Sequence, residues 1–400
     1  MLPKPQLTRV VAGALVLGSV AGCGARTGGV ATNGPAPGPA QRFGAAMAWD
    51  GATRQLILFG GMGARGPVGD TWEWSGTRWI EQHPRHAPPP RVGAGLAYNS
   101  TSRQLVLFGG SATTVTITNE YGHTGVRSIS AQDYQDTWTW SGDDWIEQHP
   151  TVVPPRTATA MLADDVASGY LLLTRRSYDR FSTSETNLRW LPGSFSPSGP
   201  PRPSLPPTVW AWTGTTWQPL LAVSFTNFDA VAANDPASGH IVAFTVNDEH
   251  FEDRQCSLDD PSDIPPAVRS SPGAIVPQPI ESCHAVGATW RWDGSTWVRV
   301  VTSNGPPDLP AAAMAGSAGL GTVLLDATGA TWRWDAERWH QTSSSGPGRR
   351  YGAAMAFDTA TGQLILFGGY AEHQQLGDTW AWDGGSWAHA AGLPATPPPG

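Results

Sequence analysis

Asp70-Thr71-Trp72-Glu73-Trp74-Ser75-Gly76-Thr77-Arg78-Trp79 is the stretch on which the fold turns. Trp72 and Trp74 are two residues apart, so on a strand both point to one face. Ser75-Gly76 is a tight-turn pair. Trp79 then falls on the returning strand, able to pair across the hairpin. The same Trp-x-Trp-x4-Trp spacing returns at Trp138/Trp140/Trp145, Trp210/Trp212/Trp217, Trp290/Trp292/Trp297, Trp332/Trp334/Trp339 and Trp380/Trp382/Trp387. These triplets account for all but two of the 20 tryptophans. X-Gly pairs also stand between the second and third Trp at Thr213-Gly214, Asp293-Gly294 and Asp383-Gly384. The triplet is therefore an internal repeat, and each copy reads as a β-hairpin with an aromatic face.

A second shared unit lies upstream of the clearest triplets. It begins Arg42-Phe43-Gly44-Ala45-Ala46-Met47-Ala48-Trp49-Asp50 and continues Gln55-Leu56-Ile57-Leu58-Phe59-Gly60-Gly61. It recurs from Arg91 to Gly110 and from Arg350 to Gly369. The Leu-Ile-Leu-Phe run is apolar on both faces, as expected of a strand sandwiched between layers. The Gly/Ala-rich run before it suits a strand crowded near a central axis. Four strands per copy, six copies and radial stacking make a propeller.

The double glycine, the apolar run before it and the later Trp resemble the kelch repeat and the galactose-oxidase-type central domain. The resemblance covers residues 42–390 and implies an all-β fold: a six-bladed kelch-type β-propeller with four antiparallel strands per blade. It is strong in copies one, two and six. Copy three keeps Arg156 but has Leu171-Leu172-Leu173 without Gly-Gly, and copies four and five carry Ile241-Val242-Ala243-Phe244 and Val323-Leu324-Leu325, also without it. Copper chemistry of the galactose-oxidase kind needs a cysteine joined to a tyrosine together with histidines, and that constellation is not traced in this sequence.

The Gly-Gly copies share two further residues, an Arg at the start and an Asp just before the triplet: Arg42 with Asp70, Arg91 with Asp136, Arg350 with Asp378. Copies four and five lack both. These six residues are expected to form Arg–Asp contacts, within a blade or between adjacent blades, that fix register more than they add stability.

Insertions collect between the second and third strands: about 111–135 in copy two, 174–207 in copy three and 246–287 in copy four. In a four-stranded antiparallel blade all such connections leave from one face, the usual place for binding. The copy-four insertion holds eight acidic residues against Arg254 and Arg269, a net of −6, and both Cys256 and Cys283. It reads as a solvated acidic loop. In an oxidising compartment its two thiols are expected to pair, closing a loop worth about 3–4 kcal/mol.

The first residues look like a targeting segment. Lys4 and Arg9 precede an apolar stretch, Val10 to Val20, too short to span a bilayer in a mature protein. Val20-Ala21-Gly22-Cys23 resembles the bacterial lipobox, with Cys23 the acylated residue and 1–22 the signal peptide. Residues 23–40, rich in Gly, Ala, Pro and Thr, read as a flexible tether. The ring is expected over 41–390 and a disordered tail over 391–400.

A formal net charge of −8 with only 14% charged residues argues against a nucleic-acid partner. Glu81-Gln82-His83-Pro84 recurs as Glu147-Gln148-His149-Pro150, which reads as duplicated scaffold ending an outer strand rather than as two metal sites. No catalytic residue, metal ligand or cofactor is assigned. The chain is expected to be a monomeric binding module, anchored to the cell membrane by lipid, with an envelope protein or glycan as partner. The alternative is an extracytoplasmic carbohydrate-active enzyme with its site in the funnel, for which the Gly/Ala-rich inner strands supply few acid/base groups.

Overall fold

The computed structural model describes residues 38–120, 123–175, 209–220, 228–248, 285–302, 305–307, 311–344, 346–372 and 374–390. Cys23, Cys256 and Cys283, residues 23–37 of the expected tether, the tail and most of the copy-three and copy-four insertions lie outside them. Among the described residues there is no helix, hence none long and apolar enough to cross a membrane.

Six four-stranded antiparallel sheets carry the fold. The first is Ala46–Asp50, Gln55–Phe59, Thr71–Trp74 and Trp79–Gln82, hydrogen-bonded in chain order. The other five are built the same way within residues 95–148, 160–220, 228–300, 311–343 and 354–389. The six first strands touch in sequence, and that of the sixth sheet touches that of the first, so the sheets close into a ring as the blades of a propeller. Each blade is one continuous stretch of chain.

The second strands form the core. Leu56, Ile57 and Leu58 are fully buried, as are Leu105 to Phe108, Val323 to Leu325 and Leu364 to Leu366. A strand can bury both faces only when a blade packs on each side of it. The first strands use small side chains and, in four blades, a methionine (Met47, Met161, Met314, Met355), whose flexible side chain fills gaps between crowded strands. Near the axis, Gly44 N–H donates to Gly352 O at 2.8 Å, Gly93 N–H to Gly44 O at 2.9 Å and Ala160 N–H to Gly93 O at 2.9 Å. These bonds lace blades six, one, two and three together.

The second and third Trp of every triplet are direct cross-strand partners, from Trp74 with Trp79 to Trp382 with Trp387. Ring centroids lie 5.2 Å apart in four of the six pairs, a spacing worth about 0.5–1.5 kcal/mol beyond area burial. The turn between them starts with Ser, Thr or Asp, whose side-chain oxygen accepts an N–H three residues on. The next position has positive φ: Gly76 at 89°, Gly142 at 108° and, in blade five, Ala336 at 75°.

The third Trp also joins neighbouring blades. Trp79 Nε1 donates to Thr379 Oγ1 of blade six at 2.9 Å, Trp145 to Thr71 at 2.9 Å, Trp217 to Thr137 at 2.9 Å, Trp339 to Thr289 at 2.8 Å and Trp387 to Thr331 at 2.7 Å. Its ring also meets a neighbouring phenylalanine edge-on, as Trp145 meets Phe59 and Trp79 meets Phe367. The junction between the last and first blades therefore uses the same contact as the interior junctions. Where blade four meets blade three, Val209 stands in place of the threonine.

Candidate binding face

Arg42, Arg91 and Arg350 are buried side chains beside the start of a first strand. Each makes a bidentate pair within its own blade. Arg42 Nη2 lies 2.8 Å from Asp70 Oδ2, Arg91 Nη2 2.7 Å from Asp136 Oδ2 and Arg350 Nη2 2.9 Å from Asp378 Oδ2. The Nη1 of each also donates to the first glycine of its blade's Gly-Gly, at Gly60 O (3.1 Å), Gly109 O (2.9 Å) and Gly368 O (3.0 Å). The aspartate's second duty is to accept the first Trp of the triplet, Trp72, Trp138 or Trp380, at 2.6–2.7 Å. Burial on its own raises the carboxyls of Asp70 and Asp378. The arginine hydrogen bond and charge, with the indole N–H, overcome that, and both sit below the ordinary carboxylate value.

This geometry explains why arginine, aspartate and double glycine occur together. Gly60 and Gly368 have positive φ, 69° and 65°. A Cβ on Gly60 would stand 2.7 Å from Arg91 O, and one on Gly368 would stand 2.5 Å from Arg42 O. Gly61 N–H donates to Arg91 O at 2.8 Å. The glycines of one blade thus let its arginine in from one side and the next blade's arginine backbone in from the other.

The third blade differs from the sequence reading. Gly110 N–H donates to Thr157 O, so Thr157 holds the place of Arg91 and Arg42. Arg156 is exposed and donates to Asp133 O at 2.9 Å. Counting from the sequence alone put the arginine one residue out of register. In blade five Asp326 takes over from the missing aspartate, accepting Trp332 Nε1 at 2.9 Å.

The second-to-third connections and the starts of the first strands share one face of the ring, as Gly61 with Arg91 and Ser111 with Val92 show. Here blade one carries a small sheet of Arg42–Phe43, Met62–Gly63 and Gly66–Pro67. Blade two carries a hairpin of Ser111–Glu120 and His123–Asp133, paired from Ser111/Asp133 to Glu120/His123 with one bulge at Thr116/Ile117. Ten residues of strand reach about 33 Å. The hairpin is tied down at its base. Tyr134 N–H donates to Gly110 O at 2.8 Å, Thr157 N–H to Tyr134 O at 3.2 Å, and the Arg91 guanidinium lies 4.0 Å from the Tyr134 ring centroid. Its first strand also lies against Gly66–Pro67. The sequence reading marked this stretch only as an insertion. The signal was present in Thr114-Val115-Thr116-Ile117-Thr118, a β-branched run with period two.

The opposite face carries the first-to-second and third-to-fourth turns, short in all six blades. There His240 Nδ1 of blade four lies 2.8 Å from Asp165 Oδ1 of blade three, a fully buried carboxylate. It joins the two blades that lack the Trp–Thr bond. His83 and His149 are exposed just beyond the fourth strands Trp79–Gln82 and Trp145–Gln148. Among the described residues no three His, Cys, Asp or Glu side chains gather as a metal site.

No family model matches the chain, and no curated protein matches it. A solved structure, "Structure of YjhT", is similar with a TM-score of 0.47 and 10% sequence identity, over 89% of this chain and 99% of that one.

Proposed function

We propose that this chain is an extracytoplasmic interaction module of the bacterial cell envelope, a kelch-type propeller held to the membrane through an acylated Cys23, which binds an envelope protein or glycan on the face bearing the long connections. One observation carries the reading: the hairpin 111–133 stands on that face with its base fixed to blades two and three, beside the small sheet of blade one, while the opposite face has only short turns. A rigid ring displaying long segments from one rim separates scaffold from recognition. The Val20-Ala21-Gly22-Cys23 sequence supports the anchor, since several acyl chains on one residue give stable attachment.

The test replaces residues 112–132 with a short Gly-Ser link and compares binding of the full chain to isolated envelope glycans and surface proteins. Affinity is expected to fall at least about tenfold, or 1.4 kcal/mol, with the ring still folded. Undiminished binding would move recognition off this face. Cys23→Ala is expected to release the protein from the membrane fraction, and unchanged retention would remove the anchor from the account.

A further inference from the structure

The boundary between blades three and four is fastened differently from the other five. Those five carry the indole bond from the third Trp to a threonine, and here Val209 stands in the threonine's place. A second indole bond is missing too. Gln55 Oε1 accepts Trp140 Nε1 at 3.0 Å between blades one and two, and Gln104 Oε1 accepts Trp212 Nε1 at 3.1 Å between blades two and three. Tyr170 holds the glutamine's register position in blade three, and the buried Trp292 Nε1 has no hydrogen-bond partner among the described residues. Two neutral hydrogen bonds do cross the boundary, Ala167 N–H to Gly239 O at 3.0 Å and Asn234 Nδ2 to Asp164 O at 3.1 Å. The third link is His240 Nδ1 with Asp165 Oδ1.

Asp165 no longer caps its own turn. Asp50, Asp235 and Asp358, at the same position in their blades, each accept the N–H two residues on and a hydroxyl three residues on. In blade three that N–H, on Ala167, goes to blade four instead. The Asp165 side chain is fully buried, and its Oδ2 has no hydrogen-bond partner among the described residues. An ionised carboxylate in such a place is costly unless a positive charge balances it. His240 is the partner at hand, and its side chain is 26% exposed, so solvent protons reach it.

We propose that His240 and Asp165 form a proton-operated clasp, which holds blades three and four together more tightly when the imidazole is charged. Imidazole is the side chain that changes charge between about pH 5 and 8. Protonated, His240 balances the buried carboxylate. Neutral, it still offers a hydrogen bond but leaves one negative charge in the core with Oδ2 unmet. The clasp therefore contributes below the imidazole's titration and loses that contribution as pH rises through it. The indole–threonine bonds of the other boundaries do not titrate, so the weakening is confined to this one. The other titratable groups around the pair are acidic. Asp235 and Asp293 accept N–H groups of their own turns, and Gly294, next to Asp293, lies beside the His240 ring. Asp164 accepts Asn99 Nδ2 at 3.2 Å and Ser100 N–H at 3.1 Å. Burial, with Asp165 nearby, nevertheless raises its carboxyl above the ordinary value. Its ionisation weakens the fold in the same direction, so it is the group to exclude.

Hydrogen exchange of the full-length chain, read at about pH 5.5 and about pH 8 and corrected for the intrinsic rate at each pH, tests the clasp. Protection in 165–172 and 235–243 is expected to be at least about tenfold greater at the lower pH, while 50–58 and 104–108 keep theirs. His240→Gln, which retains a donor but no titratable proton, is expected to show the same low protection at both pH values. Asp164→Asn is expected to keep the wild-type fall. Equal wild-type protection at the two pH values, a fall shared by all the boundaries, a fall that survives in His240→Gln or one abolished in Asp164→Asn would each overturn the proposal. The comparison among boundaries is made within the wild type, so it stands even if a variant fails to fold.

Discussion

Trp145 Nε1 donates to Thr71 Oγ1 at 2.9 Å across the boundary between the second and first blades. The same bond recurs at four other boundaries, which makes it the repeating fastener of the ring. Thr137 receives Trp217 in this way and is almost wholly buried. Thr137→Val keeps the shape and removes the acceptor. It is expected to cost about 1–3 kcal/mol, read as a lower urea midpoint with the slope unchanged. An unchanged midpoint would show that the bond contributes nothing to holding blades together.

The arginine nodes predict an asymmetric response. Asp136→Ala leaves the buried Arg91 without its carboxylate and should cost about 3–5 kcal/mol. Arg91→Met with Asp136→Leu removes both charges and should cost less than the single change. A double variant weaker than the single would mean the pair contributes more than its desolvation removes.

Asp70 and Asp378 set a pH dependence. Both carboxyls lie lower in the folded state than in the unfolded chain. The stability they contribute is therefore complete above the unfolded carboxylate value near 4 and is lost as pH falls through the folded values. Thermal midpoints from pH 7 to pH 2 should drop below about pH 4, and Asp70→Asn/Asp378→Asn should start lower and flatten that drop. A variant as steep as the wild type would assign the acid sensitivity elsewhere.

Gly368 and Gly362 separate backbone conformation from crowding. Both have positive φ, 65° and 72°, but a Cβ on Gly362 meets nothing within 4 Å, whereas one on Gly368 meets Arg42 O at 2.5 Å. Gly362→Ala should cost about 1–2 kcal/mol from conformation alone. Gly368→Ala should cost more, because backbone on both sides of the blade boundary must shift. Equal losses would refute the close approach that the Gly-Gly motif is held to serve.

Burial distinguishes two His–Asp pairs of equal length. His240 Nδ1 and His86 Nδ1 each lie 2.8 Å from an aspartate, but Asp165 is fully buried and His86 is exposed. His240→Ala should cost about 3 kcal/mol by leaving a buried carboxyl short of its partner. His86→Ala should leave the thermal midpoint where it was. Equal effects would mean that the boundary between blades three and four is held by packing alone.

The sequence made the repeat legible because tryptophan is rare and its spacing follows strand geometry directly. Gly60-Gly61 and Leu56 to Phe59 were equally readable, since positive φ and two-sided burial restrict residue choice sharply. Three features were not readable, each for a physical reason. The Trp–Thr bonds join residues that spacing within one copy cannot relate, such as Trp79 and Thr379. Thr157 replaces an arginine because its contribution there is a backbone carbonyl, which any residue supplies. Asp326 substitutes for an aspartate from a different strand, so no alignment of copies points to it. The hairpin 111–133 was legible in its alternation but was masked by its length as an insertion.

A crystal structure of the full-length chain bears most directly on whether the last copy meets the first. The account predicts six four-stranded sheets with Trp79 Nε1 in hydrogen-bond contact with Thr379 Oγ1. An open arc with those two residues apart, or a ring with another number of sheets, would contradict it.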